Sequence, residues 1–80
     1  MVSAASVALV TGGGGSIGSA VCHRLAAAGR VVVVGDLEQS VTEAVAAGLP
    51  GSGHIGAGFD VTDTEAVSDV AARIERDLGP

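Results

Sequence analysis

Short apolar runs alternate along this chain with segments in which an apolar residue recurs at every fourth position. Residues 6–10 and 31–34 are apolar without polar alternation, which predicts strands that are buried on both faces of a sheet. Residues 54–59 form a weaker third run, in which Gly56 and Gly58 would let another element approach the backbone closely. The pattern therefore predicts three strands.

The segments between these runs have the periodicity of helices. In the first, Ile17, Val21 and Leu25 share one face, and Gly29 follows as a left-handed cap. The second covers residues 37–47 and ends at Gly48. Its predicted apolar stripe is Leu37, Val41 and Val45. Its predicted solvent-facing residues are Gln39, Thr42 and Glu43.

A third helix is predicted after the last strand. Thr62 and Glu65 have the spacing of a capping box, in which the Thr62 hydroxyl accepts from the backbone of Glu65 and the Glu65 carboxylate returns to Thr62. The helix is expected to end at Gly79 and Pro80. Its predicted apolar stripe is Val67, Val70, Ala71, Ile74 and Leu78. The resulting order, β-α-β-α-β-α, is typical of the α/β class with a parallel sheet and right-handed crossovers.

A glycine-rich loop, residues 11–18, joins the first predicted strand to the first predicted helix. Gly12 permits a tight turn, the glycines after it would let a pyrophosphate approach bare backbone, and Gly18 would let the helix pack near the sheet. The helix N-terminus directs free N–H groups at an anion. The residues predicted to bind the cofactor here are Gly12, Gly14, Gly15, Ser16, Ile17 and Gly18. The alternative is a flexible connector without a ligand.

Two acidic residues follow the second and third predicted strands. Asp36 stands where a carboxylate would accept hydrogen bonds from an adenosine ribose, with Leu37 beside it. Asp60 could receive the adenine amino group, with Val61 covering the ring. Each acid also has a purely structural interpretation, because Asp36 could cap the second helix and Asp60 could form an Asx turn.

Composition removes several classes of function. Nine acidic against four basic residues give a net charge of -5, which argues against nucleic acid as a partner. All four basic residues are arginines, so a phosphate loop of the ATP-hydrolysing type has no lysine. Cys22 has no second thiol, and His23 and His54 lack the spacing of a metal or acid-base site. We expect a cytoplasmic protein without a signal peptide, a membrane span or a metal.

Together these residues resemble the short-chain dehydrogenase/reductase family over the whole chain. Residues 11–18 match its Thr-Gly-rich cofactor loop, Asp36 its acid after the second strand, residues 60–63 its adenine-side segment, and residues 78–80 the helix end before its fourth strand. The spacing of Gly12, Gly15 and Gly18 is that of the longer, sugar-nucleotide-modifying branch. Residues 60–63 look more like the ordinary-length branch, which we favour.

The resemblance implies a fold and a cofactor. Residues 1–80 would be a partial NAD(P)-binding domain, the N-terminal half of a Rossmann-type doubly wound parallel sheet with strand order 3-2-1. NAD is expected over NADP, because the charge of Asp36 would repel a 2'-phosphate. The parent enzyme is expected to be a homo-oligomer, and the first strand, left at an edge, is expected to favour self-association.

The implied activity is hydride transfer between the nicotinamide and an alcohol or carbonyl, with a Tyr-x-x-x-Lys pair and a serine moving the proton. The chain contains no tyrosine and no lysine, so no catalytic residue can be placed and the chain is expected to be catalytically incomplete. Two alternatives stay open from the residues alone. One is a stand-alone nucleotide-binding or interaction module, and the other is a methyltransferase-type half-domain.

Overall fold

The computed structural model describes residues 7–78; the side chain of Leu78 and residues 1–6 and 79–80 lie outside the described part. Ser6 of the first predicted strand is therefore not described. The elements in chain order are β1 (Val7–Thr11), α1 (Ser16–Ala27), β2 (Val31–Asp36), α2 (Gln39–Ala47), β3 (Ile55–Gly58) and α3 (Thr64–Leu78). The predicted β-α-β-α-β-α order is confirmed.

The three strands form one parallel sheet in the order β1-β2-β3. Val7 pairs with Val31 at the start of the β1–β2 ladder, and Val33 pairs with Ile55 at the start of the β2–β3 ladder. The strand β2 is central, and β1 and β3 are the edges among the described residues. This is the Rossmann-type order that the sequence predicts.

The central strand supplies both hydrophobic cores, because its side chains alternate between the two faces of the sheet. Val32 and Val34 pack on one face beneath α1 and α2, with Cys22, Ala26, Ala46 and Leu49. Val33 packs on the other face with Ala57, Phe59 and Val70, beneath α3. The three valines are fully buried. The result is a helix–sheet–helix sandwich.

The packed face of α1 differs from the predicted one. Ile17 is 82% exposed and Val21 is also exposed, whereas Cys22 and Ala26 are buried and Leu25 packs at the margin of the core. The four-residue spacing of bulky residues gave the wrong stripe, because the helix approaches the sheet through small side chains one position further on. The C-terminus of α1 is as predicted: Gly29 has φ +90°, and the N–H groups of Gly29 and Arg30 donate to the carbonyls of Ala26 and Leu25 at 3.0 and 3.1 Å.

The prediction for α2 needs two corrections. The helix begins at Gln39, so Leu37 lies outside it and is 68% exposed instead of belonging to its apolar stripe. Thr42, predicted to face solvent, is completely buried. Its hydroxyl donates to the Gln39 carbonyl at 2.9 Å, which satisfies the polar group and permits its burial. The helix ends at Gly48, as expected.

The predicted close approach at Gly56 and Gly58 is confirmed, and the approaching element is α2. A Cβ atom on Gly56 would lie 2.6 Å from the Glu43 nitrogen, and one on Gly58 would lie 2.7 Å from the Gln39 nitrogen. Neither position has room for a side chain, because the neighbouring atoms belong to helix backbone. The glycines in β3 therefore allow α2 to lie directly against the sheet.

His54 has a structural role. Its Nδ1 accepts the N–H of Val32 at 3.0 Å, and its Nε2 lies 2.7 Å from the Pro50 carbonyl oxygen, to which it donates. The ring thus takes the place of a backbone acceptor immediately before β3 begins. This agrees with the expectation that His54 is a satisfied histidine instead of a metal ligand or an acid-base group.

We predict that His54→Phe lowers the free energy of unfolding by about 1 to 3 kcal/mol, because the ring volume stays while the buried N–H of Val32 loses its acceptor. Urea denaturation followed by circular dichroism measures this change. The matched control is His23→Phe, at an exposed position on α1, which should change stability by less than about 0.5 kcal/mol. Equal effects of the two substitutions would contradict this role.

Candidate dinucleotide-binding site

The carboxyl ends of the strands meet at one side of the sheet and form a cleft of about 460 Å³. Such a position, outside the carboxyl ends of parallel strands, is where α/β sheets bind ligands. The cleft is lined by Thr11, Gly12, Asp36, Leu37, Asp60, Val61 and Thr62. Five of these residues are predicted site residues, drawn from three separate segments of the chain.

The loop after β1 turns at Gly12, whose φ of +70° is a conformation that residues with a side chain rarely adopt. The N–H of Gly15 donates to the Gly12 carbonyl at 3.2 Å, and the N–H of Gly13 continues the sheet by donating to the Gly35 carbonyl at 2.9 Å. Two backbone hydrogen bonds therefore hold the loop, with the tight turn that the sequence predicts at Gly12.

The small size of the next glycines serves packing inside the protein. A Cβ atom on Gly14 would lie 2.7 Å from both Oδ2 of Asp36 and Cγ1 of Val41, and one on Gly18 would collide with the Gly12 carbonyl oxygen. Gly18 thus brings the first turn of α1 against the loop, as predicted. The glycine at position 14 is required by its own neighbours, and its contact with a pyrophosphate stays a prediction.

The N-terminus of α1 carries no cap from a side chain. Its N-cap residue is Gly15, whose carbonyl accepts the N–H of Ser19 at 2.8 Å. The N–H groups of Ser16, Ile17 and Gly18 point out of the first turn with no side-chain acceptor. Together with the positive end of the helix dipole, these groups can receive an anion.

Asp36 ties the glycine loop to the end of β2. Its Oδ2 accepts the N–H of Gly14 at 3.0 Å, and its Oδ1 accepts the N–H of Leu37 at 2.8 Å. Asp36 does not cap α2, whose N-cap is Glu38 without a side-chain hydrogen bond. Each carboxylate oxygen has two acceptor positions, so the half-buried carboxylate retains capacity for a ligand hydroxyl at the cleft.

Asp60 is both an Asx-turn residue and a wall of the cleft. Its Oδ1 accepts the Thr62 hydroxyl at 2.7 Å and the Thr62 N–H at 2.9 Å. These two hydrogen bonds hold the pKa of Asp60 below its ordinary value, and the bond from the hydroxyl has the larger effect. The other carboxylate oxygen has no such partner, so the Asx turn leaves room for a ligand contact.

The capping box predicted from Thr62 and Glu65 is wrong. The helix begins at Thr64, and its cap is Asp63, whose Oδ1 accepts the N–H groups of Glu65 and Ala66 at 3.1 and 3.2 Å. Both bonds of the predicted box have other partners, because Asp63 accepts the Glu65 N–H and Asp60 accepts the Thr62 N–H. An aspartate one residue closer to the helix supplies an equally good acceptor.

The structure brings the predicted site residues together in two groups. Gly12, Asp36, Leu37, Asp60 and Val61 line the cleft, whereas Gly14, Gly15, Ser16, Ile17 and Gly18 lie in the loop and the first turn of α1 beside it. Thr11 and Thr62 are not among the individually predicted binding residues, although they lie in the predicted cofactor loop (residues 11–18) and adenine-side segment (residues 60–63). Their positions in the sequence could have indicated a place at the cleft. Thr11 ends β1 directly before the glycines, and Thr62 stands two residues after Asp60.

Residues 7–78 contain neither a metal-binding cluster nor a membrane-crossing helix. Within that range, no group of three or more histidine, cysteine, aspartate or glutamate side chains is placed to hold a metal ion. No helix there combines the length and apolarity needed to cross a bilayer. Cys22 is a buried packing residue under the glycine loop, and its burial raises the pKa of the thiol.

Comparison with known proteins identifies the family. The family model described as short chain dehydrogenase matches residues 6–80, and the chain belongs to that family. It is 36% identical over 76 residues to 2,3-dihydro-2,3-dihydroxybenzoate dehydrogenase of Bacillus subtilis, covering 92% of this chain and 29% of that protein. It is 40% identical over 80 residues to the short-chain reductase protein NovJ of Streptomyces niveus, covering 98% and 30%.

A solved structure gives the same result. The citronellol catabolism dehydrogenase of Pseudomonas aeruginosa PAO1 superposes with a TM-score of 0.85 at 32% identity, over 92% of this chain and 32% of that one. The chain thus spans about 30% of the length of the relatives it matches. It corresponds to the N-terminal portion of a short-chain dehydrogenase, a family of oxidoreductases that use a nicotinamide cofactor.

We predict that Gly18→Ala destabilises the fold, although alanine is the better helix former by about 1 kcal/mol. The added Cβ would strike the Gly12 carbonyl oxygen, and overpacking of this kind costs about 1 to 3 kcal/mol. The control is Gly15→Ala, where the nearest atom to the new Cβ is 3.6 Å away. In thermal or urea unfolding, the Gly18→Ala variant should be much less stable than the Gly15→Ala variant. The reverse order of stability would exclude the close contact.

We also predict that Thr62→Val raises the pKa of Asp60 toward its ordinary value, because the larger of its two stabilising hydrogen bonds is removed. NMR titration of the Asp60 carboxyl measures this shift. The depressed pKa means that Asp60 stabilises the fold above its unfolded pKa and loses that contribution as the pH falls through the folded value. Thr64→Val, at an exposed site with no recorded bond to Asp60, is the control and should leave the titration unchanged.

Proposed function

We propose that this chain forms the adenosine-binding portion of the cofactor site in an NAD-dependent short-chain dehydrogenase. The observation that carries the proposal is the position of Asp36, which joins the glycine loop to the cleft. A carboxylate at the end of the second strand is suited to accept the hydroxyls of an adenosine ribose. The geometry around it fits the remaining parts of the same molecule.

The fit can be followed group by group. The uncapped first turn of α1 suits the pyrophosphate, which needs donors and positive potential. The cleft between Leu37 and Val61, which are both exposed apolar side chains, suits the adenine ring. The free oxygen of Asp60 can accept an amino group of that ring. We therefore assign the predicted cofactor-binding residues to four contacts, which are the ribose at Asp36, the pyrophosphate, the adenine ring and the amino group of that ring.

Charge supports NAD as the cofactor in preference to NADP. The cleft holds two carboxylates, Asp36 and Asp60, and no arginine is among the residues that line it. The arginines in the described residues lie on α1, directly after its C-terminus, and on α3. A 2'-phosphate would meet negative charge without a compensating cation. NAD has a hydroxyl at that position, and this hydroxyl would meet only hydrogen-bond acceptors.

The bound nicotinamide would supply hydride transfer between the cofactor and an alcohol or carbonyl substrate. The residues of this chain would bind and orient the adenosine half and the pyrophosphate, and we assign none of the described residues a role in proton transfer at the reacting carbon. Activity on a substrate is thus a proposal for the full-length enzyme that this portion represents. The buried, unpaired thiol of Cys22 supports a reducing compartment, and we propose the cytoplasm.

Self-association through β1 is a second part of the proposal. In the described residues β1 is an edge strand, its sequence is apolar and uncharged, and Leu9 is exposed. Unpaired backbone groups on such a strand favour pairing with another strand. We propose that this edge pairs with a further strand, either of a longer chain or of a second copy, and that the full enzyme is a homo-oligomer.

We predict that Asp36→Ala lowers the affinity for NAD about tenfold to a hundredfold and narrows the preference over NADP, since hydrogen bonds to a charged group contribute about 1.5 to 3 kcal/mol. Isothermal calorimetry with both cofactors measures this, with unfolding curves to confirm that the variant is folded. Glu38→Ala is the matched control, because it removes a nearby charge that does not line the cleft. Equal affinities of the unmutated chain for NAD and NADP would overturn the role of Asp36.

A further inference from the structure

The outer edge of the sheet, along β3, has a pairing partner that is not a strand. The N–H of Phe59 donates to the Asp36 carbonyl at 2.8 Å, so the backbone groups of Phe59 face β2. Because successive residues of a strand face opposite sides, the backbone groups of Gly56 and Gly58 face away from β2. Such outward groups are the ones a further strand would bind.

The side chain of Gln39 occupies this position. Its Nε2 donates to the Gly56 carbonyl oxygen at 2.9 Å, and its Oε1 accepts the N–H of Gly58 at 2.6 Å. In a parallel ladder, one residue of the added strand gives its N–H to a carbonyl and accepts an N–H two residues further along the partner. The carboxamide of Gln39 reproduces this pair of bonds, one on each side of Ala57.

We propose that Gln39 protects the outer edge of the sheet from pairing with a second copy of this chain. Its carboxamide takes the place of the peptide groups of a fourth strand. Edge strands with free backbone groups are templates for association between chains, and proteins protect them in several ways. Here the protection comes from a single side chain at the first position of α2.

Two features hold the carboxamide in this orientation. The Nε2 also donates to the Glu43 carboxylate at 3.0 Å, one turn further along α2, which uses its second hydrogen and fixes which atom is the donor. The absence of side chains at Gly56 and Gly58 brings the backbone of α2 against β3, so that a glutamine is long enough to reach the edge. The arrangement thus depends on the helix and the strand together.

The outer edge of β3 borders a groove. A groove of about 560 Å³ runs beside β3, with Ile55 and Gly56 on the sheet side and Arg73 and Asp77 of α3 opposite. Ile55 is an exposed apolar residue in this groove. Gln39 also lines this groove, and its carboxamide already binds the backbone groups of Gly56 and Gly58 to which a strand of a second copy would bind.

The test uses Gln39→Met, which keeps a side chain of similar length and removes the carboxamide. Sedimentation velocity over a range of concentrations should show self-association strengthened about tenfold or more, since one or two backbone hydrogen bonds per chain become available. The matched control is Ser40→Met, which adds the same side chain at the next, exposed helix position. Its association should stay at the level of the unmutated chain.

A second measurement needs no variant. Amide hydrogen exchange by NMR in the unmutated chain compares Gly58, whose N–H binds Gln39, with Gly56, whose N–H faces the same edge without such a partner. We expect Gly58 to exchange about tenfold more slowly than Gly56. The proposal is overturned if the two amides exchange equally fast, or if a folded Gln39→Met variant associates no more strongly than Ser40→Met. If that variant does not fold, the exchange comparison decides alone.

Discussion

The structure depends on the direct approach of one backbone to another where glycine leaves no side chain between them. The first turn of α1 reaches the loop because Gly18 meets the Gly12 carbonyl, and α2 reaches β3 because Gly56 and Gly58 meet the backbone of residues 39–43. Each helix is thereby placed within backbone contact of the element beside it. The positions of the candidate cleft and of the bonds from Gln39 to β3 both depend on these short distances.

Asp36 shows how one side chain can serve the fold and a ligand. Its two oxygens accept the N–H groups of Gly14 and Leu37, which ties the glycine loop to the end of β2. The same carboxylate stands at the cleft with its negative charge toward the place proposed for the ribose. A site whose recognition group is also a structural tie is organised before the ligand arrives, which lowers the ordering cost of binding.

The element order, the sheet topology and most of the residues that line the cleft could be predicted from the sequence, because β-branched runs, glycine stops and a loop between strand and helix are local signals. The packed helix faces could not. The periodicity of Ile17 and Val21 indicated one face of α1, but small Cys22 and Ala26 let the helix approach the sheet. A local sequence pattern does not predict the burial of Thr42 or the hydrogen bonds from Gln39 to β3, because their partners lie in another element or inside the preceding turn.

The three buried valines of β2 have a consequence for how the fold comes apart. Val33 belongs to the core under α3, while Val32 and Val34 belong to the core under α1 and α2, so a single strand is shared by both layers. Displacement of β2 disturbs both layers, because its valines supply side chains to both cores. The two layers should therefore behave as one cooperative unit, in which the β2 amides open only when the whole molecule does.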